Sequence, residues 1–457
     1  MEIAMAILHH PFLFRWDSVE AASDLERLRL VLSVLPDEPF MQFLQKRRGH
    51  GRNDYPVRAM WNAVVAGLVY RHPSMASLLE ELRRNRELLQ VCGFDPMLGR
   101  DAAPSDDAFG RFLAVLVRNL HWIEEMVAAV LKRLGELLPD LGKRLAADSK
   151  AIASYGSPVR DEKKRARRDG RRDLDADHGT KTYRGVRKDG NAWEKVVRWF
   201  GYKVHVLVDS KYELPVAFKV TTASKSDTPE LLPMFEDLKT AQPEIGSRAK
   251  ELAADKGYDS TRNVKELYEK HGVTPVIDKR CLWKEEKTRP VVTDRVDSFV
   301  YDEKGHVYCV CPVEDVVREM AYCGFEKRRG TLKFRCPAAA YGCECAGRRE
   351  CEALADVGSW GRTLRIPMEL DRRIFTPLAR SSYAWKTAYN RRTSVERFNS
   401  RLDRVLGFEV HHIRGQAKME TRVGLAILVY LAMALGRIEV GQAELMRSFT
   451  APVRLAA

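Results

Sequence analysis

The sequence predicts a helical region to about residue 140, followed by a mixed α/β region whose strands deliver carboxylates at their ends. Three observations carry this reading. Apolar residues recur at helical spacing between Val57 and Val117, then give way beyond Leu145 to alternating strand and helix patterns. Two small apolar runs, Leu145-Ala146-Ala147-Asp148-Ser149 and Leu252-Ala253-Ala254-Asp255-Lys256-Gly257-Tyr258, each close on an aspartate. A third stretch, Tyr389-Asn390-Arg391-Arg392-Thr393-Ser394-Val395-Glu396-Arg397-Phe398, sets a glutamate on an arginine-rich helix.

Within the helical region, Pro56 opens an apolar segment running to Tyr70. Ser77 to Gln90 reads as one further helix ending near Gly93, and Pro104-Ser105-Asp106-Asp107 supplies capping groups for another. Short helices in a basic protein include helix-turn-helix candidates, so residues 1–140 are a helical domain with DNA contact as one expectation and a plain bundle as the other.

Beyond Leu145 a short strand ends at Asp148. Arg160 to Arg172 then holds eight basic and three acidic residues, reading both as a solvated loop and as an arm that tracks phosphates. Tyr202, Val204, Val206 and Val208 alternate with more polar neighbours as a half-buried strand, and Pro215 to Thr221 is its hairpin partner after the turn at 209–212. Thr228-Pro229-Glu230 starts a helix, although Pro233 counts against its continuation. A strand ending at Asp255, a helix carrying Val264 and Leu267, and a strand from Val273 to Ile277 complete the set.

The chain has 457 residues, 77 basic against 63 acidic, a formal charge of +14 and a pI near 9.3. Such a field favours a polyanionic partner. Hydrophobic content of 45% with 31% charged residues excludes wholesale disorder. Glu2 stands where a signal peptide carries positive charge, and the longest apolar stretch, Val423 to Gly436, is short of the roughly 18–20 residues that span a bilayer. It reads as a buried helix, and the expected location is the cytoplasm.

Two strand-borne aspartates and one helix-borne glutamate form a ligand set for a pair of Mg²⁺ ions, which take few, hard, rigidly placed oxygens and leave room for phosphate. Val395, Phe398, Leu402 and Val405 form an apolar stripe that anchors the helix, with Arg392 and Glu396 four apart beside it. An ordinary intrahelical ion pair is the plain alternative for those two. Lys256 is a candidate phosphate contact, Gly257 allows a tight turn, and His205 reads as a core or hydrogen-bonded histidine. Trp193 and Trp199 are assigned to core packing, with stacking on an unpaired base as the alternative.

Here the chain resembles the DDE transposases of bacterial insertion sequences. The resemblance rests on Tyr389-x2-Arg392-x3-Glu396, Ala254-Asp255-Lys256-Gly257-Tyr258-Asp259, Phe200-Gly201-Tyr202-Lys203-x-His205 and Asp148-Ser149. It implies an RNase H-like (retroviral integrase-like) catalytic domain in two parts, residues 141–278 with a basic loop at 156–198, and residues 376–440. It also implies a metal-binding triad of Asp148, Asp255 and Glu396, with Tyr389 and Arg392 contacting the cleaved strand. The signature continues with a lysine seven residues after the glutamate; this chain has Asp403 there, leaving Arg401 or Arg404 as substitutes.

Residues 279–375 form an insertion rich in cysteine. Seven of the nine cysteines fall within 43 residues, where even scatter would place about one. In a reducing compartment this points to a zinc module, with Cys336, Cys343, Cys345 and Cys351 as its candidate ligands and an iron–sulfur cluster or unligated thiols as the alternatives. The expected activity is binding of terminal inverted repeats in double-stranded DNA, followed by Mg²⁺-dependent strand cleavage and transfer to target DNA. The expected assembly is a homodimer or larger on a bacterial nucleoid. The competing readings are a domesticated or decayed copy that only binds DNA, and a metal nuclease without strand transfer.

Overall fold

The computed structural model of the protein describes residues 24–49, 54–158, 171–187, 189–284, 287–291, 299–310, 316–347, 349 and 361–453. The N-terminal segment at Met1–His10, most of the basic tract at 160–172, Cys311 and Cys351 lie outside the described residues. The described chain falls into two compact units. One comprises residues of 1–130, 404–411 and 424–457; the other comprises 131–403 and 412–423.

The first unit is helical: α1 (Asp24–Val34), α2 (Glu38–Arg48), α3 (Val57–Val69), α4 (Met75–Arg84), α5 (Arg86–Cys92), α6 (Asp106–Arg118) and the start of α7 (His121–Leu137). Its centre is α3, whose Trp61 is fully buried and donates from Nε1 to Asp37 Oδ2 at 2.7 Å. The expected single helix from Ser77 to Gln90 is two. Ser74 caps the first, and Asn85, in extended conformation, breaks the run and caps the second by accepting from Leu88 N. An asparagine side chain satisfies a free helix-start N–H better than it continues a helix, which explains the break. Ser105 caps α6 as its sequence suggests, accepting from Ala108 N.

The second unit is built on a mixed sheet of β1 (Arg144–Ala153), β2 (Asp177–Val186), β3 (Ala192–Asp209), β4 (Pro215–Thr222), β5 (Glu251–Ala254) and β6 (Thr274–Ile277). β4, β3 and β1 run antiparallel, and β1, β5 and β6 run parallel. α8 (Leu231–Ala241), α9 (Pro243–Ser247) and α10 (Thr261–Glu269) connect them, with α8 against β4 and α10 against β6. Pro233 falls in the first turn of α8, where its missing N–H has no helical partner to lose, so the helix continues. Two strand expectations change. β1 does not stop at Asp148 but runs to Ala153, because Ser149 to Ala153 pair with His205 to Gly201. The segment of β3 from Tyr202 to Asp209 is buried on both faces except at Lys203, not half-buried; β1 flanks it on one side and β4 on the other.

β3 is long enough to leave the core. Its outer half, Ala192 to Gly201, pairs with β2 as a two-stranded ribbon. Gly201 marks the change: its φ of 156° brings the backbone close to Ile152 O and Ser154 N, where a side chain has no room.

The described residues between 279 and 375 form two small sheets. One holds β7 (Thr288–Pro290), β8 (Phe299–Asp302), β9 (Val307–Val310) and β10 (Val317–Glu319); the other holds β11 (Ala321–Glu326), β12 (Thr331–Arg335) and β13 (Thr363–Pro367), with α11 (Pro337–Tyr341) between β12 and β13. They share an apolar core that includes Tyr301, Val307, Leu332, Phe334, Ile366 and Phe375. α12 (Tyr383–Asn390) then packs on β5 and β6, followed by α13 (Thr393–Leu406) and α14 (Gln416–Glu439). α13 buries Val395, Phe398, Leu402 and Leu406; Leu406, rather than the partly exposed Val405, continues the stripe at a spacing of four. α14 has 24 residues, longer than its apolar run suggests and long enough to cross a bilayer by length and composition, but 89% of its apolar window is buried within the protein. It is a core helix.

Candidate active site

Asp148 and Asp255 come together through strand register. β1 and β5 are parallel partners with Ala147 beside Ala254, and the aspartates follow one residue later on each chain. The small side chains ahead of them are fully buried, fixing the two strands so that the carboxylates stand side by side. Burial, with Asp255 alongside, pushes the Asp148 carboxyl up to about 6. Each aspartate folds back on local backbone: Ser149 N donates to Asp148 Oδ1 and Gly257 N donates to Asp255 Oδ1, both at 2.8 Å. Gly257 permits that turn, since a Cβ there would lie 2.8 Å from Asp255 Oδ1 and 3.4 Å from Asp227 Oδ2.

Asp227 is a carboxylate that sequence reasoning passed over. It accepts from Ser149 Oγ and Lys203 Nζ, both at 2.9 Å. The next residue, Thr228, donates from Oγ1 to Gly257 O at 2.7 Å and ties this loop to the turn after Asp255. Tyr258, buried beneath, has its hydroxyl pushed well above its usual range by burial and then by Asp227, Asp148 and Asp255. The sequence signal was only Ser226-Asp227-Thr228-Pro229 before a helix, which reads equally as a cap.

A cleft of about 1090 Å³ opens here, with Asp227, Asp255 and Asp278 on one side and Lys181, Lys203 and Arg280 among its cations. Lys256 lines it with an exposed side chain, while its carbonyl accepts from Arg280 Nε. His205 is fully buried, its Nε2 lies 3.0 Å from Thr221 Oγ1, and burial pushes its pKa down. It is a hydrogen-bonded core histidine.

Tyr389 sits on the α12 face that covers Ala253 and Val276 and stacks on Trp385 with ring centroids 4.9 Å apart. Arg392 lies over the Tyr389 ring. It donates from Nη2 to Glu396 Oε1 at 2.7 Å and places Nη1 4.0 Å from Asp148 Oδ2. Arg392 thus reaches toward both carboxylates, and among the described residues no three acidic, histidine or cysteine side chains form a metal-binding group on their own. The close partner of Arg392 is Glu396, whose side chain stays 53% exposed.

The carboxylates still suit a hard cation. Asp148 is only 15% exposed, and its proton affinity is raised first by burial and then by the neighbouring Asp255. Arg392 supplies positive charge from one side only.

The basic residues around α13 have separate surroundings. Arg401 pairs with Glu213, as does Arg397 at 2.5 Å, and Arg404 is exposed in the last turn of α13. Asp403, at the position where the signature has lysine, accepts from Lys150 at 2.7 Å. Lys150 is two residues from Asp148 on β1 and so lies on the same strand face. Glu213 was not singled out in the sequence. It is buried, at a φ of 58° in the β3–β4 turn, and it anchors α13 to the sheet.

The candidate zinc ligands are engaged separately. Cys343 Sγ donates to Pro337 O at 3.2 Å, Cys345 Sγ accepts from Arg318 at 3.5 Å, and Cys336 packs against Gly361. Cys351 lies outside the described residues.

A mixed sheet carrying two aspartates on adjoining strands, one of them lining a basic cleft, is the arrangement of an RNase H-like α/β domain, the fold that the following family match implies. Residues 144–432 match the transposase DDE domain family, and residues 17–114 match a second transposase domain family of undefined role. A search of curated proteins gives no match. The chain belongs to the DDE transposases of insertion sequences. It is an enzyme of the nuclease and transposase class, with DNA as its partner.

Proposed function

We propose that this transposase binds the terminal inverted repeats of its element, hydrolyses one phosphodiester at each end, and joins the freed 3′ hydroxyls to target DNA. The supporting observation is that Asp148 and Asp255 follow paired positions on neighbouring parallel strands, with Asp255 lining a cleft rimmed by lysine and arginine. Asp148, Asp255 and Glu396 would hold two Mg²⁺ ions, which supply Lewis-acid activation of the attacking oxygen and stabilisation of the leaving one. The chain's own groups do the rest. Lys256, Lys181 and Arg280 offer charge to phosphate along the cleft wall. Tyr389 and Arg392 present a ring face and a guanidinium to the strand being cut. Asp227 is a positioning residue, holding Ser149 and Lys203 and, through Thr228, the turn that carries Asp255.

The helical unit contributes further DNA contacts on this reading, with the basic last turns of α2 (Lys46, Arg47, Arg48) and α4 (Arg83, Arg84) as its charged elements. Joining two ends together calls for a homodimer or larger assembly on DNA, acting in the cytoplasm at the nucleoid. A zinc ion on Cys336, Cys343, Cys345 and Cys351 is a separate proposal, supported by the clustering of cysteines in the sequence.

The test is cleavage of element-end DNA by Asp148→Asn, Asp255→Asn and Glu396→Gln variants. Each removes a charge at nearly constant volume, so each should lose cleavage while keeping end binding. Wild-type cleavage by any one of them in Mg²⁺ removes that residue from the ligand set.

A further inference from the structure

Trp193 and Trp199 were assigned to a core, and the structure assigns them elsewhere. Both lie on the β2–β3 ribbon that leaves the sheet beyond Gly201. Trp193 is 37% exposed and Tyr183 is 44% exposed. Pair register sorts the ribbon into two faces. One carries, row by row, Gly179 with Trp199, Lys181 with Val197, Tyr183 with Lys195, and Gly185 with Trp193. Each tryptophan faces a glycine, and a Cβ at either glycine would run into the ring. The indoles therefore lie flat across the ribbon, held in one orientation with a face turned outward, an arrangement that costs strand propensity at two positions.

An exposed aromatic face on a solvated ribbon is a poor use of tryptophan unless something covers it. Charge indicates what does. Residues 177–198 hold six basic and three acidic side chains; among the described residues neither Lys181 nor Lys195 forms a salt bridge, and Lys181 Nζ lies 5.6 Å from the centroid of the Tyr183 ring. Rings interleaved with lysines that have no acidic partner in a salt bridge match a polyanion with exposed π-faces, a single-stranded nucleic acid. An uncharged protein surface would leave those lysines uncompensated. The strip is also continuous with the candidate active site: Lys181, Tyr183 and Trp199 line the same cleft as Asp255, and Lys181 is close enough to Asp148 to oppose the rise in its pKa.

We propose that this face of the ribbon binds single-stranded DNA, with bases stacked on Trp193 and Tyr183 and phosphates on Lys181 and Lys195. It rests on the transposase reading only for the source of the strand, which is the DNA freed beside the cleft. Binding is measured in EDTA, where no cleavage occurs, so failure of the cleavage chemistry and failure of the ribbon give different results.

The probe is a fluorescein-labelled oligothymidylate of about 20 nucleotides, compared with a duplex of the same length, on the full chain. Tyr183→Ala with Trp193→Ala should weaken single-strand binding by about ten-fold or more and duplex binding much less. Lys181→Gln with Lys195→Gln should lower the salt slope of single-strand binding by about 1.4, two phosphates' worth. Trp193→Phe keeps a stacking ring. It should retain affinity while losing part of the tryptophan quenching caused by the oligonucleotide, a readout that does not depend on a damaging substitution. Unchanged single-strand affinity in the double alanine variant overturns the proposal, as does unchanged quenching in Trp193→Phe. Equal losses on single strand and duplex overturn it too, and so does a change in sedimenting mass with DNA binding intact, which would make the face a contact between copies of the chain.

Discussion

The sheet that carries Asp148 and Asp255 and the described residues between 279 and 375, the segment read from sequence as an insertion, are both β-rich parts of one unit, yet they treat their reactive side chains in opposite ways. In the sheet, alanines and valines pack completely and the strands bring Asp148 and Asp255 together, so the packing is spent on holding two like charges at close range. In the insertion, seven short strands close over Tyr301, Phe334, Ile366 and Phe375, while the described cysteines sit at the margins, several of them hydrogen-bonded to separate partners. One region has a framework that holds two carboxylates on adjoining strands, each hydrogen-bonded to local backbone. The other has a framework that already accounts for its own stability. A cation is thus expected to matter to the chemistry of the first and little to the folding of the second.

The largest effect expected falls on the sheet. Asp255→Asn and Asp148→Asn should each reduce cleavage to background, and neither should lower the midpoint of urea unfolding, because each removes like-charge repulsion as well as a ligand. Destabilisation by either would mean that the pair is a structural network and would break the contrast. Next in size, Phe334→Ala in the insertion should cost about 3–5 kcal/mol, the usual range for emptying a fully buried phenylalanine site. Its ring also packs against Tyr322 at 5.5 Å. Limited proteolysis resolves that loss to the insertion, leaving the catalytic sheet protected.

Much of this division could be read from residue types. The strand into Asp255, the helix stripe of Val395, Phe398 and Leu402, and the hydrogen-bonded state of His205 follow from short-range pattern and appear in the structure. What escaped depends on partners distant in sequence. β1 continues past Asp148 because β3 offers it five more pairing positions, and nothing local signals that. Arg392 reads as a helix neighbour of Glu396, but its approach to Asp148 comes from an element 244 positions away in the chain. The insertion looked defined by cysteines because they cluster in sequence. Its apolar residues are spread thinly over short strands and gather only in three dimensions.

A smaller effect tests how the helix-borne glutamate is held. Glu213 is buried and bonded to both Arg397 and Arg401. Glu213→Gln should cost about 2–3 kcal/mol, since it removes the charge that two arginines face at a buried position. It should also reduce cleavage more than DNA binding, because α13 carries Glu396. Equal loss of both would show that Glu213 supports the fold in general rather than the placement of that helix.

The smallest effect is expected from the cysteines. Cys343→Ser with Cys345→Ser alters weak thiol contacts, among them Cys343 to a backbone carbonyl and Cys345 to Arg318. Thiol hydrogen bonds are weaker than amide ones, and both residues lie outside the apolar core, so the change in stability should stay under about 1 kcal/mol. Phe334→Ala provides the scale against which that is judged. A small metal-stapled module behaves in the reverse way, drawing much of its folding energy from the ion and losing it when two thiolates go. Elemental analysis of protein prepared under reducing conditions is the companion measurement. Near one zinc per chain, lost in the double serine variant together with a stability loss as large as that of Phe334→Ala, would overturn the contrast and make the insertion a metal-dependent fold. Zinc lost with stability retained would make the ion a passenger on a framework the aromatic core already holds.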